Sequence, residues 1–184
     1  MARNKLSGAD YLLYFLFCDN QQPICGAIRL TKMMFLFEKE IMPLLADKGL
    51  DSDHMPEFIA YNFGPFSKDV YEQIELFKNI SFITVESIPL KEDLGESDDW
   101  EEDESGEYLQ QSDGMYYKYK IAKRGRDYVE QKIEPLLTEE HKAVLVNFKK
   151  QINLLTPKKI LYYVYSKYPD FTTNSLIKDE VLGE

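Results

Sequence analysis

The sequence predicts an α+β, mostly helical domain with a winged-helix-like core, a small antiparallel sheet and a C-terminal helical extension. A run with β character over residues 57–62 meets Gly64-Pro65, and a helix then begins at Ser67. Two further β-prone runs follow that helix, as the strands of a wing would. Apolar residues recur at helical spacing on both sides of this centre, which makes the remainder mainly helical.

Length and composition agree with one folded domain. The chain has 184 residues, of which 44% are hydrophobic and 14% aromatic, so it can bury a core. No apolar run approaches the roughly 20 residues of a membrane span, and residues 11–17 lack a signal-peptide cleavage pattern. We therefore expect a cytoplasmic protein outside the membrane, with Cys18 and Cys25 as reduced thiols.

Two helices are expected before the centre. Ser7 and Asp10 form a capping pair for a helix over residues 8–18, although the aromatic run there leaves a strand as the alternative. A second helix covers residues 26–42. Pro43 should end or kink it, and Gly49 should stop any continuation.

The third helix is predicted from Ser67 onward. The Ser67 hydroxyl is expected to accept a hydrogen bond from a first-turn N–H, and Phe66 should pack on Tyr71 as a hydrophobic staple. Gly64-Pro65 is expected to form the turn before this helix. The predicted apolar face consists of Val70, Tyr71, Ile74, Leu76 and Phe77.

An acidic insertion at residues 92–113 separates the predicted wing strands, residues 81–88 and Met115–Ile121. Residues 92–107 contain ten acids and no Lys or Arg, which accounts for the whole net charge of −10 and leaves the rest neutral. Trp100 lies among these acids and is of the residue type that most often anchors an interface. The candidate partner-binding residues are Trp100, Asp98, Asp99, Glu101 and Glu102. A flexible charged loop without such a role is the alternative.

The second half of the chain continues as helices. A fourth helix should reach Leu137, another should follow Thr138, and Thr156-Pro157 should open one that ends at Tyr168-Pro169. A last short helix is expected within residues 172–181. The inward residues of the helix after Thr156 are predicted to be Ile160, Leu161, Val164 and Tyr165. We assign residues 1–137 to the winged-helix-like domain and 138–184 to an extension packed on it.

Four segments together resemble a known family. They are Leu30-Thr-Lys-Met-Met-Phe-Leu36, Tyr61-Asn-Phe-Gly-Pro-Phe-Ser67, the Tyr119…Gly125 passage and Tyr163-Val-Tyr-Ser-Lys-Tyr-Pro169. In this order the sequence resembles the YwgA-type proteins, related to the SocA-like antitoxin (Panacea) domain of bacteria and phages. The resemblance implies a mainly helical fold with a small sheet. It also implies a non-enzymatic antitoxin or regulator that acts through protein contacts. The acidic insertion departs from the family pattern, so the partner stays open.

DNA binding is the alternative that a winged helix suggests. The basic cluster contains Lys118, Lys120, Lys123, Arg124 and Arg126, interleaved with tyrosines, and Gln73 on the third helix could read adenine. Against DNA binding, the outward residues of that helix include three acids and two bases, and the acids would repel phosphates. The basic cluster could equally be a solvated surface paired with the acidic insertion, or be screened by it from DNA. We therefore favour a partner protein over nucleic acid.

No catalytic pattern is recognisable. The sequence lacks a Gly-rich phosphate loop, a Ser/His/Asp arrangement and paired histidines on one helix face. The spacing of Cys18 and Cys25 is not a usual zinc spacing. We therefore expect no enzymatic activity, no cofactor and no metal site.

Overall fold

The computed structural model describes residues 5–89 and 115–183, and the fold of these residues is α+β and mostly helical, as the sequence predicts. The helices are α1 Gly8–Gln21, α2 Ala27–Leu36, α3 Met42–Asp47, α4 Lys68–Asn79, α5 Lys123–Tyr128, α6 Glu139–Leu154, α7 Pro157–Lys167 and α8 Lys178–Leu182. The strands are β1 Lys5–Ser7, β2 Ile24–Cys25, β3 Asp51–Asp53, β4 Ile59–Tyr61, β5 Gly64–Phe66, β6 Ile83–Pro89 and β7 Met115–Ile121. The predicted acidic insertion lies outside the described residues.

Within the described residues, the strands form three small sheets. The largest has the order β2-β7-β6 and is antiparallel throughout, with Ile83 opposite Ile121 and Val85 opposite Tyr119. β4 and β5 form an antiparallel hairpin, whereas β1 and β3 are parallel. The antiparallel pair that follows α4 has the connectivity of a wing. The winged-helix assignment itself stays a prediction.

Helix α1 begins where the sequence predicts. Ser7 and Asp10 form the reciprocal capping box, with the Ser7 hydroxyl accepting from Asp10 N–H at 3.2 Å. The helical backbone then breaks at Cys18–Asn20, where Asp19 and Asn20 have φ of 56° and 53°. Because this segment forms helix α1, the strand alternative for it is wrong.

The second helical region differs from the prediction at Pro43. After α2, Phe37–Ile41 forms a π-helical turn, and the chain continues directly into α3. Pro43 lies in the first turn of α3, directly after the π-helical turn, and the proline does not end the helical run. Gly49 has φ of +83° and follows the end of α3, as predicted.

Two predictions at the start of α4 are wrong. Gly64-Pro65 belongs to strand β5, and the turn lies one step earlier, between β4 and β5. Ser67 occupies the N-cap position, but its buried hydroxyl makes no capping bond. The staple is confirmed: the Phe66 and Tyr71 rings stack with centroids 5.4 Å apart.

The buried face of α4 explains its orientation. Val70, Ile74 and Phe77 are buried, whereas Leu76 is 54% exposed and so does not belong to the predicted apolar face. The residues on the opposite side of the helix are therefore free to contact solvent or a partner.

The helices after β7 complete the core. The predicted fourth helix is α5 followed by a π-helical turn, Val129–Ile133, and a 3-10 turn, Glu134–Leu136. Helix α6 packs on α1 through Phe148 and Phe15, whose ring centroids lie 5.6 Å apart. The Thr156 cap and Pro157 at the first turn of α7 are confirmed, as is burial of the four predicted inward residues. The last predicted helix is shorter and begins only at Lys178.

Two lysines are completely buried in this core. Lys32 Nζ donates to the carbonyls of Phe63 and Pro65 at 2.6 and 3.0 Å, which holds the β4–β5 hairpin against α2. Lys149 Nζ donates to two carbonyls at the broken end of α1. Each amine thus donates to two backbone carbonyl oxygens, so the buried positive charge is hydrogen-bonded.

Candidate functional site

The outer face of α4 forms one wall of a groove of about 490 Å³. Asp69, Glu72, Gln73 and Leu76 follow one another at spacings of three, one and three residues, so they share a helix face. Because Val70, Ile74 and Phe77 fix the other face in the core, this set points away from it. The opposite wall is the loop of residues 54–57 between β3 and β4. We call this space the α4 groove.

A hydrogen bond from the loop backbone to a helix side chain connects the two walls. The Glu57 N–H donates to an Asp69 carboxylate oxygen at 2.8 Å, so the loop is held at a fixed distance from the helix. Met55 and Pro56 supply apolar surface on the loop side, and Leu76 supplies it on the helix side. The groove is therefore a preformed cleft and not a gap between unrelated segments.

The charge of the α4 groove is negative. Glu57, Asp69 and Glu72 line it, and none of the described lining residues is Lys or Arg. Glu72 forms an ion pair with Lys68 at 2.8 Å, but both side chains are largely exposed and such pairs contribute little. Gln73 Oε1 is buried in the described structure without a hydrogen-bond partner.

The predicted basic cluster is partly engaged within the chain. Lys118 and Lys120 alternate on β7 with the buried Tyr117 and Tyr119, and Lys120 Nζ lies 2.6 Å from Glu86 Oε1. This hydrogen bond lowers the pKa of the Glu86 carboxyl.

The cluster continues on α5. Arg126 Nη1 donates to Gln21 Oε1 at 3.1 Å, and the Arg124 guanidinium lies 6.0 Å from the Phe82 ring centroid. Lys123 is exposed. Gln73 is separate from this cluster, because it lies in the α4 groove. The residues proposed for DNA recognition are therefore divided between a basic surface and an acidic one.

The other predicted site falls on residues 92–113. Trp100, Asp98, Asp99, Glu101 and Glu102 lie outside the described residues, so their prediction is neither confirmed nor contradicted.

Sequence reasoning missed a second groove. Helix α7 has Tyr162 and Tyr163 on its exposed side, 55% and 40% exposed, beside a cavity of about 450 Å³. The sequence pattern could have indicated it. Once the four inward residues of α7 are assigned to the core, Tyr162 and Tyr163 remain on the outward side of the helix. The other wall contains Val181 of α8, and its approach to α7 could not be predicted from local pattern.

A hydrogen-bond cluster on Glu40 supports that second groove. The hydroxyls of Tyr163 and Tyr168 and the Lys167 ammonium donate to Glu40 Oε1 at 2.9, 2.8 and 2.9 Å. Burial alone would raise the pKa of Glu40, but the hydrogen bonds from Lys167 and the two tyrosines outweigh it and lower the pKa. The carboxylate therefore stays charged and keeps its donors.

Comparison with known proteins adds no assignment: no protein-family model matches the chain, and no curated protein matches it either. The resemblance to the YwgA-type and SocA-like family therefore stays a prediction from the quoted segments. Within residues 5–89 and 115–183, every helix is too short or too polar to cross a lipid bilayer. In the same part of the chain, no three His, Cys, Asp or Glu side chains meet in a group that could hold a metal ion.

Proposed function

We propose that this protein is a non-enzymatic interaction module that regulates a partner protein by binding it, and that the α4 groove receives a basic segment of that partner. The observation that carries the proposal is the groove itself, in which Glu57, Asp69 and Glu72 surround the apolar surface of Met55 and Leu76. An antitoxin-like role in the cytoplasm follows from the sequence resemblance and from the expectation of reduced thiols.

The charge of α4 favours a protein over DNA. In a winged helix this face would enter the major groove, where phosphates surround the helix on both sides. Asp69 and Glu72 would be repelled there, because binding to a duplex depends on neutralising phosphates with Lys and Arg. A segment carrying Lys or Arg is attracted by the same carboxylates.

The shape of the groove adds a second requirement. Leu76 is 54% exposed and faces a cleft whose volume of about 490 Å³ lies within the usual range for a binding pocket. A partner segment with only charged side chains would leave the apolar surface of Leu76 exposed to water. We therefore infer that the segment places one aliphatic or aromatic side chain against Leu76, with basic residues on either side.

Peptide binding to the full chain tests the proposal. The probe is a fluorescent 12-residue peptide that alternates Lys with Leu, and its matched control carries Glu in place of Lys. We expect the Lys peptide to bind with an affinity that falls as salt rises from 50 to 300 mM, and the Glu peptide not to bind this groove. Glu72→Gln and Leu76→Ala should each lower the affinity for the Lys peptide by up to about tenfold.

A matched variant separates the groove from the general charge of α4. Glu75 lies on the same helix, is exposed and pairs with Lys78, but it does not line the groove. Glu75→Gln should therefore bind the Lys peptide as the wild type does. Equal losses in Glu72→Gln and Glu75→Gln would contradict the proposed site. Tighter binding of a 20-base-pair duplex than of the peptide would contradict the proposed class of partner.

A further inference from the structure

A second exposed surface lies between α7 and α8. Leu155, Lys158, Lys159, Tyr162, Tyr163 and Val181 line it, and its volume is about 450 Å³. We call it the α7 groove. Almost all of its lining surface is apolar. Leu154, which precedes the lining residue Leu155, is 84% exposed.

The position of the tyrosines follows from the burial of α7. Ile160, Leu161, Val164 and Tyr165 are at most 1% exposed, so the core side of α7 is already complete. Tyr162 and Tyr163 consequently project on the solvent side, one turn after Lys158 and Lys159. Tyrosine is enriched among the residues that dominate binding energy, because its ring buries a large apolar area.

The walls of the groove are held in place before any partner arrives. The Tyr163 hydroxyl donates to Glu40 and accepts from Lys167 Nζ at 2.8 Å, which fixes the direction of its ring. The buried Arg29 donates to the Leu155 carbonyl at 2.8 Å, which fixes the chain between α6 and α7. A partner therefore does not have to order these two residues on binding, and that lowers the cost of association.

The charge around the groove selects the partner. Lys167 of α7 is already paired with Glu40, so the charge that faces a partner here is that of Lys159, which is exposed and lines the groove. None of the described lining residues of the groove is acidic. Asp179 and Glu180 of α8 are exposed but do not line it. An acidic segment is therefore attracted to this surface, whereas a basic one is repelled.

We propose that the α7 groove docks an acidic, amphipathic segment of a partner protein, with an aliphatic or aromatic side chain packed between Tyr162 and Val181 and a carboxylate beside Lys159. The site is distinct from the α4 groove in its elements and opposite to it in charge. It does not depend on whether the α4 groove binds a basic segment.

Fluorescence anisotropy with the full chain tests this docking site. The probe is a 12-residue peptide that alternates Glu with Leu around a central Trp, and the control peptide carries Lys in place of every Glu. We expect Tyr162→Ala to weaken the acidic peptide by about tenfold. Lys159→Gln should weaken it by about threefold and reduce its salt dependence. Lys132→Gln, which removes an exposed lysine outside both grooves and the basic cluster, should leave binding unchanged.

A cross-comparison keeps this test separate from that of the α4 groove. Leu76 is 54% exposed and Tyr162 55%, so Leu76→Ala is a matched truncation in the other groove. It should leave the acidic peptide bound, while Tyr162→Ala should leave binding of the Lys-Leu peptide intact. Glu40→Gln, which loosens Tyr163 without touching the peptide, should weaken the acidic peptide by about two- to threefold.

Three results would overturn the proposal. The first is wild-type affinity of the acidic peptide for both Tyr162→Ala and Lys159→Gln. The second is tighter binding of single-stranded DNA than of the peptide, with loss in Tyr162→Ala, because basic residues beside aromatics also suit nucleic acid. The third is a dimer of the protein in sedimentation that Tyr162→Ala dissociates, because the occupant would then be a second copy of the chain.

Discussion

Replacing Lys149 tests how a buried amine holds the broken end of α1. Lys149 is completely buried, and its Nζ donates to the carbonyls of Cys18 and Gln22, both at 2.7 Å. Between them the backbone leaves the helix, with Asp19 and Asn20 at positive φ. These carbonyls therefore lie beyond the regular helical hydrogen bonds, and the amine takes the place of the absent donors.

The expected loss of stability follows from two opposing effects. Each hydrogen bond to a charged donor contributes roughly 1.5–3 kcal/mol, and Lys149→Met removes the charged donor from the buried Cys18 oxygen and from the partly buried Gln22 oxygen. Against this, methionine removes the cost of burying an ammonium group, a cost that appears as the lowered pKa of Lys149 caused by burial. Since Met fills most of the same volume, we expect a net loss of roughly 2–4 kcal/mol.

Urea unfolding followed by far-UV circular dichroism measures this difference. With an m-value of about 2 kcal/mol/M, the midpoint should fall by roughly 1–2 M. Lys150→Met is the matched control, because the Lys150 side chain is 55% exposed and its ammonium lies 3.6 Å from Asp19. The control should change stability by less than about 0.5 kcal/mol. If Lys149→Met has the same urea midpoint as Lys150→Met, the assigned role of the Lys149 amine is refuted.

Three further perturbations have defined outcomes. Gly64→Ala should cost roughly 2–4 kcal/mol in thermal or urea unfolding, since Gly64 has φ of +83° and a Cβ there would lie 2.8 Å from Tyr165. Gly49→Ala, with the same φ and open space around it, should cost only about 1 kcal/mol; equal losses would contradict the steric reason. Burial raises the pKa of the Cys18 thiol from 9.0 to about 12, so the unfolded chain loses this proton first as pH rises. The free energy of unfolding of the wild type should therefore approach that of Cys18→Ala above pH 9, by up to about 1.4 kcal/mol per pH unit. A difference that stays constant with pH would contradict this titration of Cys18. Deleting residues 92–111 should produce no DNA binding in 50 mM salt, because Lys120 and Arg126 already have partners within the chain; a salt-dependent gain of binding would favour the screened DNA site.

Elements whose cause is local could be predicted from the sequence. The Ser7 capping box, the Phe66–Tyr71 staple and the Thr156-Pro157 start of α7 each depend on residues within five positions of one another. Burial of the core side of α7 was likewise readable from helical spacing.

Features set by distant contacts could not be predicted. Ser67 has the right residue type for a cap, yet its hydroxyl is buried without a partner. The π-helical turn before Pro43 lets the helical run continue where proline chemistry alone suggests an end. Lys32 and Lys149 were indistinguishable from surface lysines, because the carbonyls that they satisfy lie 31 and 131 residues away in sequence, at Phe63 and Cys18.

The same distinction applies to the candidate sites. The acidic outer face of α4 was visible from spacing, but the cleft needs the hydrogen bond from Glu57 N–H to Asp69, which joins separate elements. The outward tyrosines of α7 could have been noticed, whereas the wall at Val181 depends on where α8 packs. Sequence pattern thus predicts which helix face is exposed, and tertiary contacts decide whether that face becomes a groove.

Opposite charges on the two grooves bear on how such a module chooses its partners. Outside residues 92–107 the numbers of acidic and basic residues are equal, so the long-range attraction of this part of the chain for either sign is small. Within this part of the chain, discrimination then has to come from charges at contact distance. Glu72 in the α4 groove disfavours an acidic segment and Lys159 in the α7 groove disfavours a basic one, so each groove rejects the segment that suits the other. A single partner with a basic and an acidic segment at the right separation would engage both at once, and its affinity would exceed that for either segment alone.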